Sequence, residues 1–368
     1  MLRALAALEV VLFHVRRDGF VQFGVLPADQ QSPFVAVLFV LTQLGREAVL
    51  VFFVLSGFLV GGQIISRLQN GSFRLADYAI DRSTRILLSL IPACLLTEAS
   101  NVLVFHRPDR AIDLLASMCG LNGVVGRSLA GNGVLWTLAY EIWFYIAGGA
   151  CAVLLSARNG AAAGRALIVV GICAVIFSKL EARYLLYWVV GALAVLCLQT
   201  RYRRGLALVG GVVLLSAVSQ HQMAWFGQLF TPLMRVPDQA SEAGIVLGLA
   251  LMVPALCSEE LNRRLHRVRR VAAMAAGCSY SLYLIHAPLL FLMRPLLPRA
   301  TAITANSIEA VFIRLIVIAI GVAAFYWCFE RNTDRLRRWL RDRIRSRDAR
   351  LVPAGSVTAG DQAGPMRT

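Results

Sequence analysis

Arg3-Ala-Leu-Ala-Ala-Leu-Glu9-Val-Val-Leu-Phe-His14 stands at the head of the chain, and its reading decides the fold. The run is apolar, yet it carries Arg3, Glu9 and His14 and has no small-residue cleavage site. It therefore reads as a retained membrane helix rather than a removed signal peptide. An α-helix turns about 100° per residue, so eleven steps make about 1,100°, about 20° from a whole number of turns. Arg3 and His14 thus share one helix face, about 16 Å apart along the axis. Ionisable groups aligned inside a membrane segment are costly and mark a functional site by default. The same spacing also fits a snorkelling arginine and a histidine satisfied between helices. Glu9 lies about 120° off that line and has no assigned partner.

Composition points the same way for the whole chain. Of the 368 residues, 58% are hydrophobic, and the mean hydropathy is +0.66. A soluble domain is nearer to about 45–50% apolar. Repeated long apolar runs predict an all-α, polytopic integral membrane bundle with no soluble domain. About ten spans are expected, at 2–18, 47–66, 85–105, 132–156, 166–178, 183–198, 205–219, 243–257, 278–296 and 308–329. The stretch 34–44 is apolar too, and either extends the second span or lies at the interface.

The net charge of +16 is almost all arginine, with Lys179 the only lysine. Such an excess can mark a nucleic-acid binder. Here the arginines sit in short loops between apolar runs, which is the positive-inside pattern. Loops 67–84, 157–165, 199–204 and 258–277 and the tail from 330 are the rich ones, including Arg263, Arg264 and Arg267. That places both termini in the cytoplasm and makes nucleic acid an unsuitable partner. The eight cysteines are scattered singly with no CxxC pair, so they read as small apolar residues rather than metal ligands or disulfides. No metal site is expected. The tail after about 350 has the composition of a disordered segment.

Four further segments could carry chemistry. Val51-Phe52-Phe53-Val54-Leu55-Ser56-Gly57 puts a small-residue spot inside a helix, where a backbone or a ligand can approach closely. No Gly-x-Ser-x-Gly elbow surrounds Ser56, so plain packing is the stronger reading than a nucleophile. Asp81-Arg82-Ser83-Thr84-Arg85 places two guanidinium groups three residues apart at a helix mouth, a phosphate-binding or anchoring pattern. Trp136-Thr-Leu-Ala-Tyr-Glu141-Ile-Trp-Phe-Tyr145 buries a carboxylate that needs a partner. Arg3, His14 or His286 could supply it. Cys278-Ser-Tyr-Ser-Leu-Tyr-Leu-Ile-His286 sets a second histidine within reach of the depth of His14 if both helices run outward.

In this order the five segments resemble the acyltransferase family 3 of integral membrane O-acyltransferases. The likeness runs from the first residues to about 331, and Phe329-Glu330-Arg331 is similar to the family's closing motif, with Asn332 in place of a proline. The resemblance implies a membrane acyltransferase domain over 1–331 and a basic cytoplasmic, partly disordered tail over 332–368. It identifies His14 with the family's essential histidine, Arg3 with its motif partner, and Glu141 and His286 with further characteristic positions. It associates Arg82 and Arg85 with the acyl-donor side, and Ser56-Gly57 would then permit close approach of the acyl chain. It implies a cytoplasmic acyl-CoA, commonly acetyl-CoA, as co-substrate with no bound cofactor. The acceptor it implies is a hydroxyl on a bacterial cell-surface glycan or a similar molecule, at the inner membrane. The residues alone leave a rival class open, a proton-coupled transporter or flippase, which also uses intramembrane Arg, His and Glu.

Overall fold

The computed structural model describes residues 1–226, 237–257 and 269–351. Arg263, Arg264 and Arg267, and the tail expected to be disordered, lie outside the described residues. Among the described residues there is no strand, only the isolated bridges Phe20–Ala300 and Asn122–Gly126.

The helices in chain order are α1 (Leu2–Gly19), α2 (Pro33–Leu41), α3 (Gly45–Ser56), α4 (Gly62–Gln69), α5 (Leu75–Leu103), α6 (Ala111–Cys119) and α7 (Trp136–Ser156). They continue as α8 (Gly160–Lys179), α9 (Arg183–Leu193), α10 (Arg203–Phe226), α11 (Asp238–Leu256), α12 (Arg269–Met293), α13 (Ala305–Cys328) and α14 (Thr333–Leu351). All ten expected segments are helical. Eight helical stretches among the described residues are long and apolar enough to cross a membrane, and Arg183–Cys197 is a shorter apolar one. Leu2–Gly19 carries Arg3, Glu9, Arg16, Arg17 and Asp18, which lowers its hydropathy. The chain is an all-α polytopic membrane bundle.

Local signals set several boundaries. Ser32 caps α2, accepting from Val35 N at 3.4 Å, with Pro33 in the first turn. Thr304 and Ser307 form a reciprocal capping box on α13, at 2.8 and 3.2 Å. Gly120 ends α6 at φ +69°, a left-handed position that glycine takes at little cost. Helix α5 starts at Leu75, ten residues before its apolar run, because its first turns are amphipathic. Tyr78, Ile80, Asp81 and Thr84 are buried there between exposed neighbours. Arg82 and Arg85 are therefore well inside a helix, not at its start.

The stretch 34–44 extends the second span, within one helical stretch Pro33–Gln69. It forms α2 and breaks at Thr42 before α3. Past Ser56 the helix widens into a π turn, Gly57–Gly61, before continuing as α4. A Cβ on Gly57 would stand 1.9 Å from the Trp188 carbonyl oxygen, and one on Gly191 would stand 2.3 Å from that of Val54. Helix α9 thus lies backbone to backbone on the π turn, as small residues permit in membranes. Around this contact lies an aromatic core: Phe53 is edge to face with Phe144 and tilted against Tyr184, both at 5.3 Å, and Phe144 is stacked on Trp188 at 5.9 Å. Helix α1 lies against α3, α12 and α13, while α14 lies across α5.

Candidate active site

Helices α1 and α12 run the same way through the bundle. Near one end the Arg3 guanidinium lies 5.9 Å from the Tyr280 ring centre. Deeper in, the His14 and His286 rings meet at 5.2 Å between centroids. Tyr280, Tyr283 and His286 stand three residues apart on a slanting stripe of α12, each about 60° round the helix from the last. Arg3 and His14 share one straight stripe of α1, as the eleven-residue step requires.

Between these stripes and helices α3, α5 and α7 lies a cavity of about 350 Å3. Arg3, Ser56, Arg82, Arg85 and Glu141 all line it. Five of the seven side chains singled out in the sequence thus converge on one space. Arg82 donates to Gln63 Oε1 at 2.9 Å and lies 5.5 Å from the centre of the Tyr145 ring. The Nε groups of Arg3 and Arg82 are buried without a hydrogen bond among the described residues. Buried donors are nearly always satisfied, so two idle guanidinium donors beside a cavity suit an anionic ligand.

Glu141 has a partner that the sequence reading missed. Tyr145, one turn on, donates to its Oε1 at 2.5 Å. Ser56 donates to Tyr145 Oη at 3.4 Å and accepts from Trp188 Nε1 at 3.2 Å. Arg3 and Glu141 line the same cavity, which neither His14 nor His286 borders. Of the three partners considered for Glu141, Arg3 is thus the one that shares its cavity. Ser56 is part of this chain and also borders the cavity, while the close backbone approach belongs to Gly57.

The two histidines stand just beyond the cavity. Tyr283 lines the cavity, and its ring is 6.0 Å from that of His286. Tyr283 is held by Thr137 Oγ1 at 2.8 Å, and its ring meets Phe52 at 5.4 Å. His286 is fully buried, with Nδ1 2.9 Å from the Leu282 carbonyl. A carbonyl only accepts, so Nδ1 carries the proton and Nε2 holds a lone pair. Nε2 makes no hydrogen bond among the described residues. His14 is half-buried, edge-on to Phe13 at 5.1 Å.

A family model described as an acyltransferase domain matches residues 1–329. The chain belongs to the acyltransferase family 3. No curated protein and no solved structure matches it. As an acyltransferase of the membrane, it needs a donor site, an acceptor site and a path between them. The cavity and the histidine pair are the parts of the matched region that could form them.

Other polar residues of this acyltransferase hold the framework. Glu9, left unassigned by the sequence, accepts from Leu44 N at 3.2 Å at the head of α3. Glu330 accepts from the backbone N of Ser281 at 2.9 Å and from its Oγ at 2.6 Å, tying the end of α13 to α12. Asp18 pairs with Arg294 at 2.9 Å at the far end of α1. Two buried carboxylates escaped the sequence reading. Glu47 meets His221 Nδ1 at 2.7 Å and Gln222 Nε2 at 2.5 Å. Glu242 meets Arg46 at 2.9 Å and Arg183 at 3.3 Å. Isolated charges bordering apolar runs were the signal. It went unread because Arg46 and Arg183 look like loop residues and His221 lies past the apolar part of α10.

Proposed function

We propose that this acyltransferase moves an acyl group, acetyl in the simplest case, from cytoplasmic acyl-CoA to a hydroxyl of a cell-surface glycan or a similar acceptor. The reading is supported above all by one juxtaposition. An arginine-lined cavity reaches to within a single tyrosine ring of two facing histidines. The cavity end is assigned to the cytoplasm of a bacterial inner membrane, because Arg3, Arg67, Arg82, Arg85 and Arg337 gather there.

Arg3, Arg82 and Arg85 hold the donor's phosphates, for which guanidinium forks are well suited. The thioester passes Tyr283 towards His14. The acceptor hydroxyl gives its proton to the His14 imidazole as its oxygen attacks the thioester carbonyl. The C–O bond forms, the C–S bond breaks, and the leaving thiolate takes the proton back. Histidine suits this role because its ordinary pKa lies near working pH. His286, with Nδ1 tied to Leu282, keeps Nε2 as an acceptor that steadies the imidazolium of His14. Glu141 serves the arginine end of the cavity, beside Arg3, and not the histidine pair.

The test compares envelope glycans from cells lacking the protein, cells carrying it and cells carrying His14→Ala. Mild base releases ester-linked acyl groups for identification by mass. Esters present only with the intact chain are expected, and their mass names the acyl group. Equal esters in all three strains would overturn the glycan acceptor. Uptake of an unmodified glycan into vesicles, with acyl-CoA untouched, would replace transfer by transport.

A further inference from the structure

The family match ends at residue 329, yet the cavity is not complete without the helix that follows. Helix α14 carries Arg337 and Arg341 one turn apart, on the face laid against α5. Arg341 Nη2 is 2.5 Å from Asp81 Oδ1, and its Nε is 3.8 Å from Asp77 Oδ1. Arg337 Nε is 3.5 Å from the same Asp81 oxygen. Arg67, at the end of α4, reaches the other Asp81 oxygen at 3.6 Å. Three guanidinium groups from two helices thus surround one carboxylate of a third. Arg67, Asp81 and Arg337 all line the cavity that Arg82 and Arg85 also line.

Asp77 shares Arg341, and Asp334 shares Arg337 at 3.0 Å, so the surplus of positive charge lies in the cavity itself. Five arginines line the cavity, Arg3, Arg67, Arg82, Arg85 and Arg337, against the two acids Asp81 and Glu141. Arg67, Arg337 and Arg341 keep 32%, 26% and 30% of their side-chain surface exposed, so a ligand can reach them, whereas Asp81 keeps 10%. A carboxylate offers two oxygens and one charge. A phosphomonoester offers three oxygens and close to two charges, and fits a ring of guanidinium forks better.

We propose that Arg67, Arg337 and Arg341 form a clamp for the terminal phosphomonoester on the nucleotide end of acyl-CoA. Asp81 occupies the clamp when the donor is absent. This rests on the acyl-CoA reading above and extends it. The tail helix then selects the phosphorylated nucleotide, while Arg3, Arg82 and Arg85 face the rest of the donor. The same ring could attract a lipid headgroup phosphate, which the arms below separate from the nucleotide.

The experiment measures binding of CoA and of 3′-dephospho-CoA to the full chain in detergent by calorimetry, without added lipid and again with an anionic phospholipid. The wild type should favour CoA by about tenfold, the equivalent of one charged hydrogen bond. Arg337→Gln with Arg341→Gln should abolish that preference while leaving affinity for dephospho-CoA nearly unchanged. Asp81→Asn should strengthen CoA binding, a gain that a folding defect cannot mimic. A double variant that keeps the wild-type preference overturns the clamp, as does equal weakening of both ligands. Loss of the CoA preference in the presence of the phospholipid assigns the ring to lipid and overturns the nucleotide assignment. If the wild type binds dephospho-CoA as well as CoA, the clamp fails and the donor reading stands. If it binds neither, the donor reading itself fails.

Discussion

The rings of His14 and His286 lie 5.2 Å apart with their planes crossed at 48°, one from α1 and one from α12. In the proposed transfer this pair takes the proton of the acceptor hydroxyl, His14 as base and His286 as its support. His14→Ala should lower transfer by about 100-fold or more, the usual range for a general base. His286→Ala should cost less, because His14 keeps its lone pair. If the two act as a unit, the double variant will be little worse than His14→Ala alone. Initial rates of acyl transfer by the purified variants check this, and additive losses would separate the two roles.

The helix content and the arginine–histidine register were legible because both follow from periodicity. Apolar runs of membrane length announce helices, and the step from residue 3 to residue 14 lines up two side chains whatever surrounds them. Arg82, Arg85, Glu141 and His286 were likewise legible as ionisable residues in or beside apolar runs. What remained hidden was pairing. Nothing along the chain says that Glu141 bonds to Tyr145 on its own helix rather than to a histidine on another. Nor does it say that Asp81 faces Arg341, 260 positions away. Helix ends were hidden for a related reason. The first turns of α5 are amphipathic, and the polar run Ser219-Gln220-His221-Gln222 interrupts α10, so hydropathy stops short while each helix goes on.

Tyr145 holds the one hydrogen bond made to Glu141 among the described residues, and its ring lies under Arg82. Tyr145→Phe keeps the ring and removes the hydroxyl. The carboxylate then loses a bond of the charged kind, worth roughly 1.5–3 kcal/mol. The expected outcome is a lower unfolding temperature in detergent and a weaker affinity for the donor. Transfer at saturating donor should change far less. A fall in saturated rate with unchanged donor affinity would move Glu141 from the donor end of the cavity to the chemistry.

Gly57 has no room for a side chain, since its Cβ would fall 1.9 Å from the carbonyl oxygen of Trp188. Gly57→Ala must push α9 off the π turn, and overpacking of this kind costs typically about 1–3 kcal/mol. Ser56→Ala removes a hydroxyl but adds no volume, so it should be milder. Thermal unfolding of the two variants in detergent should therefore rank Gly57→Ala well below Ser56→Ala. The reverse order would mean that the hydroxyl chain from Trp188 to Glu141, not the backbone contact, holds this junction.

Asp113, in the short helix α6 outside the spanning segments, takes both Arg110 nitrogens, Nε at 2.7 Å and Nη2 at 2.8 Å, and the Arg127 backbone N at 2.7 Å. The Arg110 hydrogen bond, followed by the Arg127 backbone donor, holds its carboxyl down to about 2 from an ordinary value of 3.8. A carboxyl lowered in the folded state stabilises that state above the ordinary value, and the contribution fades as pH falls through about 2. The loop from Gly120 to Gly131 should therefore stay as protected from limited proteolysis by an acid protease at pH 4 as at pH 7. Asp113→Asn keeps the shape but not the charge, so its loop should be cut faster at both pH values. Wild-type protection already lost at pH 4 would mean that Arg110 and Arg127 do not hold the carboxylate in solution.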